Sequence, residues 1–322
     1  MRYAYAGVNM ERPLFALCAL LLNVALAGPL KWYEAFGLPG LFNTPASILR
    51  NAERKLNREH RSLEERKWRG KMLTIMVLTG SLLTGWTFSL FSGHGFEGVE
   101  LLIVTIALPV RPTWDRVSQI RKKLYAGDIV TARQALVDTA WRHNALLDDY
   151  GVARAGIEIL AVNFSDKIIA PLFWYLLLGL PGLLVSKSIV LMQETLTQPG
   201  IERFAPGFGQ AAQLTHYWLH FIPARLAAIL WLLVAAVLPS CKWKEVAGQI
   251  AGGFKSETPQ IIALLSAASI LKLTLGGPAS IYSNDRWIGT GTLKPLPGDI
   301  KRALNLFALL HLLLFILLGV FL

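Results

Sequence analysis

Residues 157–182 read IEILAVNFSDKIIAPLFWYLLLGLPG. Four polar residues, Glu158, Asn163, Asp166 and Lys167, run directly into an apolar stretch that carries Pro171 and Pro181. Continued to about residue 190, the apolar run is long enough to cross a bilayer, which takes about 20 residues. Lipid offers the backbone no hydrogen-bond partners, so a run interrupted by proline must be covered by protein or water. The stretch therefore predicts a Pro/Gly-broken or re-entrant helix at membrane depth, with acids and an amide at its mouth.

The rest of the chain agrees with that reading. Of its 322 residues 53% are hydrophobic and only 16% charged, against about 25% charged in a soluble globular chain. This composition excludes an ordinary soluble domain and predicts an all-α, polytopic helical membrane protein. Further apolar runs lie near 13–30, 72–92, 97–110, 224–239 and 303–322. Segment 260–275 is apolar on most sides but carries Lys272, and reads as a buried or interfacial helix rather than a span. Residues 1–322 read as one membrane domain, with no repeat of fixed period. The N-terminus has a basic-then-apolar order that suits a first helix or signal anchor, with small residues at 25–28 where a cleavage site would fall.

The net charge of +11 is placed mainly between apolar runs. That pattern follows the positive-inside rule and lacks the basic–aromatic interleave of a nucleic-acid module, so no nucleic-acid partner is expected. Residues 50–71 hold nine Lys/Arg against four Glu, which assigns them to the cytoplasm, whereas 92–98 (SGHGFEG) hold none and face the other side. Runs 72–92 and 97–110 then form a hairpin returning at Arg111. Residues 111–167 read as a cytoplasmic helical block, with Asp128 and Thr131 as cap candidates.

Motifs of soluble enzymes, such as GxxxxGK[ST], HExxH and GxSxG, are missing from the sequence. The two cysteines, Cys18 and Cys241, provide neither a disulfide framework nor a CxxC site. On a helix Glu158 and Asp166 share a face, with Asn163 between them. Acids there are costly unless paired or functional, although Asp166 would also suit the N-cap of a helix starting near Ile168. His216 and His220 have the i, i+4 spacing that can place two imidazoles on one metal. The sequence shows no third ligand, so they read as interfacial histidines beside Tyr217 and Trp218, and no metal ligand is assigned. Arg225, following Pro223 at the start of an apolar helix, suits either a bidentate hold on phosphate or carboxylate or snorkelling to the interface. Residues 275–291 (LGGPASIYSNDRWIGTG) form a glycine-rich loop that permits close backbone approach.

These segments, in this order, resemble the CobD/CbiB family of membrane-bound adenosylcobinamide-phosphate synthases. The resemblance is carried by TPASILRNAERKLNRE (44–59), by residues 153–182 as the central signature, and by ERF (202–204), FIPARLAA (221–228), LGGPASIY (275–282) and WIGTG (287–291). It implies a multi-pass protein of the cell inner membrane that uses ATP and Mg2+ to join a corrinoid carboxylate to aminopropanol or its phosphate. The resemblance makes Glu158, Asn163 and Asp166 the catalytic candidates, with Glu158 and Asp166 holding Mg2+ and Asn163 orienting an amide. Arg142, Arg154, Arg203, Arg225, Gly276, Gly277 and Tyr282 become the substrate-binding candidates. Several positions depart from the family's pattern. Val162 stands where the family has Glu, and His143-Asn144 where it has Asp-Thr. Residues 191–195 (LMQET) replace Asn-Thr-x-Asp-Ser, and 257–261 (ETPQI) replace Ser-Pro-Asn-Ala-Gly. His216 and Tyr217 fall on paired aspartates, and His220 on an Asn. The second expectation is therefore a non-catalytic, AmpE-like relative with a regulatory or scaffolding role.

Overall fold

The computed structural model describes residues 4–25, 40–58, 60–91, 97–137, 147–196, 207–239, 241–254, 257–278, 280–283, 285–320 and 322. In chain order the helices are α1 (Ala4–Ala25), α2 (Gly40–Leu56), α3 (Leu63–Phe91), α4 (Glu97–Ala107), α5 (Val110–Tyr125), α6 (Ile129–Val137) and α7 (Asp149–Asn163). A π-turn (Phe164–Ile169) joins α7 to α8 (Ala170–Leu178), followed by α9 (Leu180–Leu196), α10 (Gln210–Val237), α11 (Trp243–Gly253) and α12 (Pro259–Leu271). Strands β1 (Leu275–Gly276) and β2 (Trp287–Ile288) pair antiparallel, Leu275 opposite Ile288, before the last helix, α13 (Pro297–Val320).

Among the described residues, four helical runs are long and apolar enough to cross a membrane: Leu63–Phe91, Asp149–Leu178, Gln210–Val237 and Pro297–Val320. The protein is thus an all-α membrane protein, as its composition predicts. Two expected runs behave differently. Run 97–110 yields α4, whose 11 residues are too short to span alone. Run 224–239 is the second half of α10, so Pro223 lies inside a helix and not before one. Pro223 has no N–H to offer the carbonyl four residues back. That carbonyl, on Leu219, instead accepts the Trp174 indole N–H at 3.0 Å.

The helical block beginning at residue 111 is also shorter than expected. Residues 149–163 were expected within it, but α7 is buried nearly all round and runs on into the apolar segment. A helix that is apolar on every face belongs in an interior. Asp128 caps α6 by accepting the Thr131 N–H at 3.1 Å. Asp148 caps α7, accepting the Gly151 N–H at 2.7 Å. Asp166 caps nothing, because the helix continues through it.

The interruption predicted for this segment is present, but it falls on a glycine. The π-turn precedes Pro171, and the Ala170 N–H reaches back five residues to the Ser165 carbonyl. This widened turn accommodates the proline ring that would clash with an α-helical carbonyl. Pro181 sits in the first turn of α9, where its missing N–H costs nothing. The chain breaks at Gly179, whose φ of 71° favours glycine. The Arg12 guanidinium donates to the Leu177 carbonyl at 3.1 Å and so satisfies the end of α8.

The chain divides into two compact units. The first comprises Met1–Pro109 and Pro171–Leu219, and the second Val110–Ala170 and His220–Phe321. In the first, α9 packs closely on α3. A Cβ at Gly85 would lie 2.5 Å from Pro181 Cα, and Ser81 and Ser188 share a hydroxyl hydrogen bond of 2.6 Å. Small residues at such crossings let backbones approach where lipid supplies no hydrophobic drive. Leu49, Leu73, Ile189, Met192, Phe208 and Ala212 build the adjoining core. The other face of α3 exposes Ile75, Met76, Leu82, Trp86 and Phe88, a lipid-suited surface. In the second unit α7 is the central helix, with α5, α12 and α13 packed around it.

Candidate functional site

In the second unit Glu158 projects from the middle of α7 into the β-hairpin and is fully buried. One carboxylate oxygen accepts the Gly276 N–H at 2.7 Å, and the other accepts the Ser280 hydroxyl at 2.7 Å. The glycines make this approach feasible. Gly276 has φ 81° and Gly277 φ 88°. A Cβ on Gly276 would lie 2.3 Å from the Arg286 carbonyl oxygen, and one on Gly277 would lie 2.5 Å from the Trp287 ring. The Gly277 N–H donates to Arg286 O at 2.8 Å, and the Tyr282 N–H to Ser280 Oγ at 3.3 Å. Glu158, Gly276, Gly277 and Tyr282 therefore belong to one cluster.

Arg154 lies one helical turn before Glu158. Its guanidinium donates to the Leu293 carbonyl and stacks 4.8 Å from the centroid of the Trp287 ring. Nearby in sequence to both partners, Lys294 lies 5.7 Å from the Tyr150 ring centroid. This edge of the unit thus combines cations with aromatic faces, and Trp287 is 49% exposed.

Asn163 and Asp166 have other partners. Asn163 donates to Thr113 Oγ1 at 3.3 Å. Asp166 Oδ1 lies 3.4 Å from His220 Nδ1, and both side chains are buried. Glu158 and Asp166 were expected to share one ion, but their partners are different groups. His216 and His220 are both buried, whereas Trp218 between them is exposed. Arg225, half-buried, donates to the Phe221 carbonyl at 2.8 Å and to the Phe254 carbonyl, and stacks 3.5 Å from the Phe221 ring centroid. Its guanidinium thus ties α10 to the end of α11. Arg142 and Arg203 lie outside the described residues.

Ser280, Trp287 and Thr113 were not picked out as site residues from the sequence. Ser280 and Trp287 lie in the glycine-rich stretch already singled out, and that proximity was their signal. Thr113 carried none.

Fold and site together define a helical membrane protein with a buried carboxylate that grips a glycine-rich hairpin. The family described as CobD/Cbib protein matches residues 16–307, and the chain belongs to that family. It is 29% identical over 295 residues to cobalamin biosynthesis protein CobD of Rhodobacter capsulatus, covering 90% of each chain. With the protein of the same name from Chromobacterium violaceum it shares 27% identity over 302 residues, 92% of each. The Rhizobium meliloti protein of that name is 34% identical over 185 residues, 56% of each. No solved structure matches the chain.

Proposed function

We propose that this protein acts in cobalamin biosynthesis as an adenosylcobinamide-phosphate synthase-like ligase, multi-pass in the cell inner membrane. It would join the carboxylate of adenosylcobyric acid to aminopropanol or its phosphate, with ATP as the activating substrate. The observation that carries this reading is the family match, which runs through the whole central helix and the glycine-rich hairpin. The geometry supports it. The edge formed by Arg154, Trp287, Tyr150 and Lys294 suits a large, flat, anionic ring system. Glu158 fixes the Gly276–Gly277 loop beside that edge, and Tyr282 is held in the same cluster.

In this reading Arg154, together with Arg142 and Arg203, neutralises phosphate and carboxylate groups, and Asn163 orients an amide. Arg225 positions helices instead. The pair expected to hold Mg2+ does not fit that ion. Both oxygens of Glu158 are taken by Gly276 and Ser280, and Asp166 faces an imidazole, whereas Mg2+ favours oxygen donors. Mg2+ would arrive on the phosphates of ATP.

A non-catalytic, AmpE-like role is the second reading. Val162, buried on α7, carries no acid where the resembled pattern has one. Complementation separates the two. A strain lacking its own synthase should regain cobalamin-dependent growth on cobyric acid when given this gene. Absence of rescue, with the protein present in the membrane, favours the regulatory or scaffolding role.

A further inference from the structure

In the first unit the chain enters α3 through a run of cations. Arg61 donates to the carbonyls of Lys55 and Leu56, which fixes its guanidinium at the end of α2. That guanidinium is held below its ordinary pKa, first by partial loss of water and then by the charges of Arg69 and Arg58, with Glu65 acting the other way. Arg58, Arg61 and Arg69 are thus one cationic group whose members repel. Two of the nearby acids are already engaged. Glu64 pairs with Lys67 at 3.1 Å, and Glu53 is buried and accepts the Asn57 amide at 2.9 Å. Among the described residues Arg58, Arg69 and Lys71 have no ion-pair partner. One face of α3 is covered here: a Cβ on Gly70 would meet the Phe208 carbonyl, and one on Gly207 would lie 2.8 Å from Lys67 Cγ. The opposite face is open. It exposes Trp68, Met72, Ile75, Met76, Leu83 and Trp86. The two tryptophans are about five helical turns apart, about 27 Å. That separation matches a hydrocarbon core of about 30 Å, and tryptophan collects at both of its interfaces. Trp68 therefore marks one headgroup level, and Lys71 Nζ lies 5.9 Å from its ring centroid.

We propose that Arg58, Arg61, Arg69 and Lys71, with Trp68, form a binding site for the headgroup of an anionic phospholipid. The headgroup phosphate would take guanidinium donors, which suit phosphate oxygens bidentately, and would relieve the repulsion among the three arginines. The acyl chains would then lie along Met72, Ile75 and Met76, the apolar part of the same open face. This arrangement asks for a charged head and an apolar tail in one molecule, with the charge at the level of Trp68. Cations that only orient a chain in the membrane need no particular lipid, whereas a site built this way discriminates between headgroups. The proposal stands apart from the ligase reading, because it rests on α3 and the end of α2 and would hold equally for a scaffolding protein.

The test is native mass spectrometry of the full chain in detergent, titrated with phosphatidylglycerol, with phosphatidylcholine of the same acyl chains, and with inorganic phosphate. The expected result is a one-lipid adduct with phosphatidylglycerol, held at least about tenfold more tightly than phosphatidylcholine and weakened by added salt. Arg58→Gln and Arg69→Gln should each reduce that affinity about fivefold, and the double variant should remove the preference. Lys242→Gln with Lys244→Gln removes as much charge outside the site and should leave the preference intact. Should the arginine variants fail to fold, the wild-type comparison of the two lipids decides the question. Equal binding of the two lipids by folded wild-type protein overturns the proposal. So does a preference that the arginine double variant keeps, or one that the lysine pair loses equally. Displacement of the lipid by inorganic phosphate would assign the cations to a free anion, and a dimer that excludes lipid would assign the face to a second copy; either result also overturns it.

Discussion

Glu158→Ala should loosen the hairpin that carries Gly276 and Ser280. The substitution removes the acceptor of two buried donors, each held at 2.7 Å. A buried donor left unpaired costs about 1–3 kcal/mol, so the pair costs about 2–6 kcal/mol. Glu158→Gln preserves the shape and one acceptor. Its carbonyl can keep the Gly276 N–H, and its amide can donate to Ser280 Oγ, so the expected cost falls to about 0.5–1.5 kcal/mol. Ser280→Ala alone leaves one carboxylate oxygen short of a donor. Added to Glu158→Ala, it should cost less than it does alone, because its carboxylate partner is already gone and groups in one network couple. Thermal unfolding of the detergent-purified chain, followed by loss of the monodisperse species, measures all four variants beside wild type. The reasoning fails if Ala and Gln variants melt together with wild type, or if the Glu158 and Ser280 effects simply add.

Four other outcomes follow from the same structure. Gly85→Ala should destabilise by about 1–3 kcal/mol through overpacking against Pro181, whereas Gly80→Ala on the same helix meets nothing within 4 Å and should be neutral or stabilising in the same melting assay. Asp148→Ala should cost about 0.5–2 kcal/mol by removing the cap of α7, read by hydrogen exchange at the Gly151 amide. If Asp166 is catalytic, Asp166→Asn should abolish ligation while membrane insertion persists; loss of folded protein instead would mark Asp166 as structural. The Asp128 carboxyl, held below its ordinary value first by the Thr131 hydrogen bonds and then by Lys123, should titrate below about 3.9 by NMR. Its folded value is the lower one, so its contribution is present above the unfolded value and is lost as pH falls through the folded one.

The sequence carried the class of fold because composition and apolar run length act over many residues at once. It also marked the stretch where the helix is irregular. The position of the break was less legible. Pro171 and Pro181 were the visible breakers, yet a π-turn absorbs one and the first turn of α9 tolerates the other, which leaves Gly179 as the break. Glu158 and Asp166 share a face in an ideal helix, but tertiary partners decide what each does. Gly276 and Ser280 lie more than a hundred residues from Glu158, and no local spacing announces that contact. For the same reason no local spacing announces the pairing of Asp166 with His220.

The central claim is that this chain forms an amide bond on a corrinoid. Membranes containing the protein, given adenosylcobyric acid, aminopropanol phosphate and ATP, can be assayed for the amide product by mass spectrometry. The account predicts product that depends on ATP and is lost on Arg154→Ala. Membranes that hold the folded protein and make no product, beside a family relative that does under the same conditions, would contradict it.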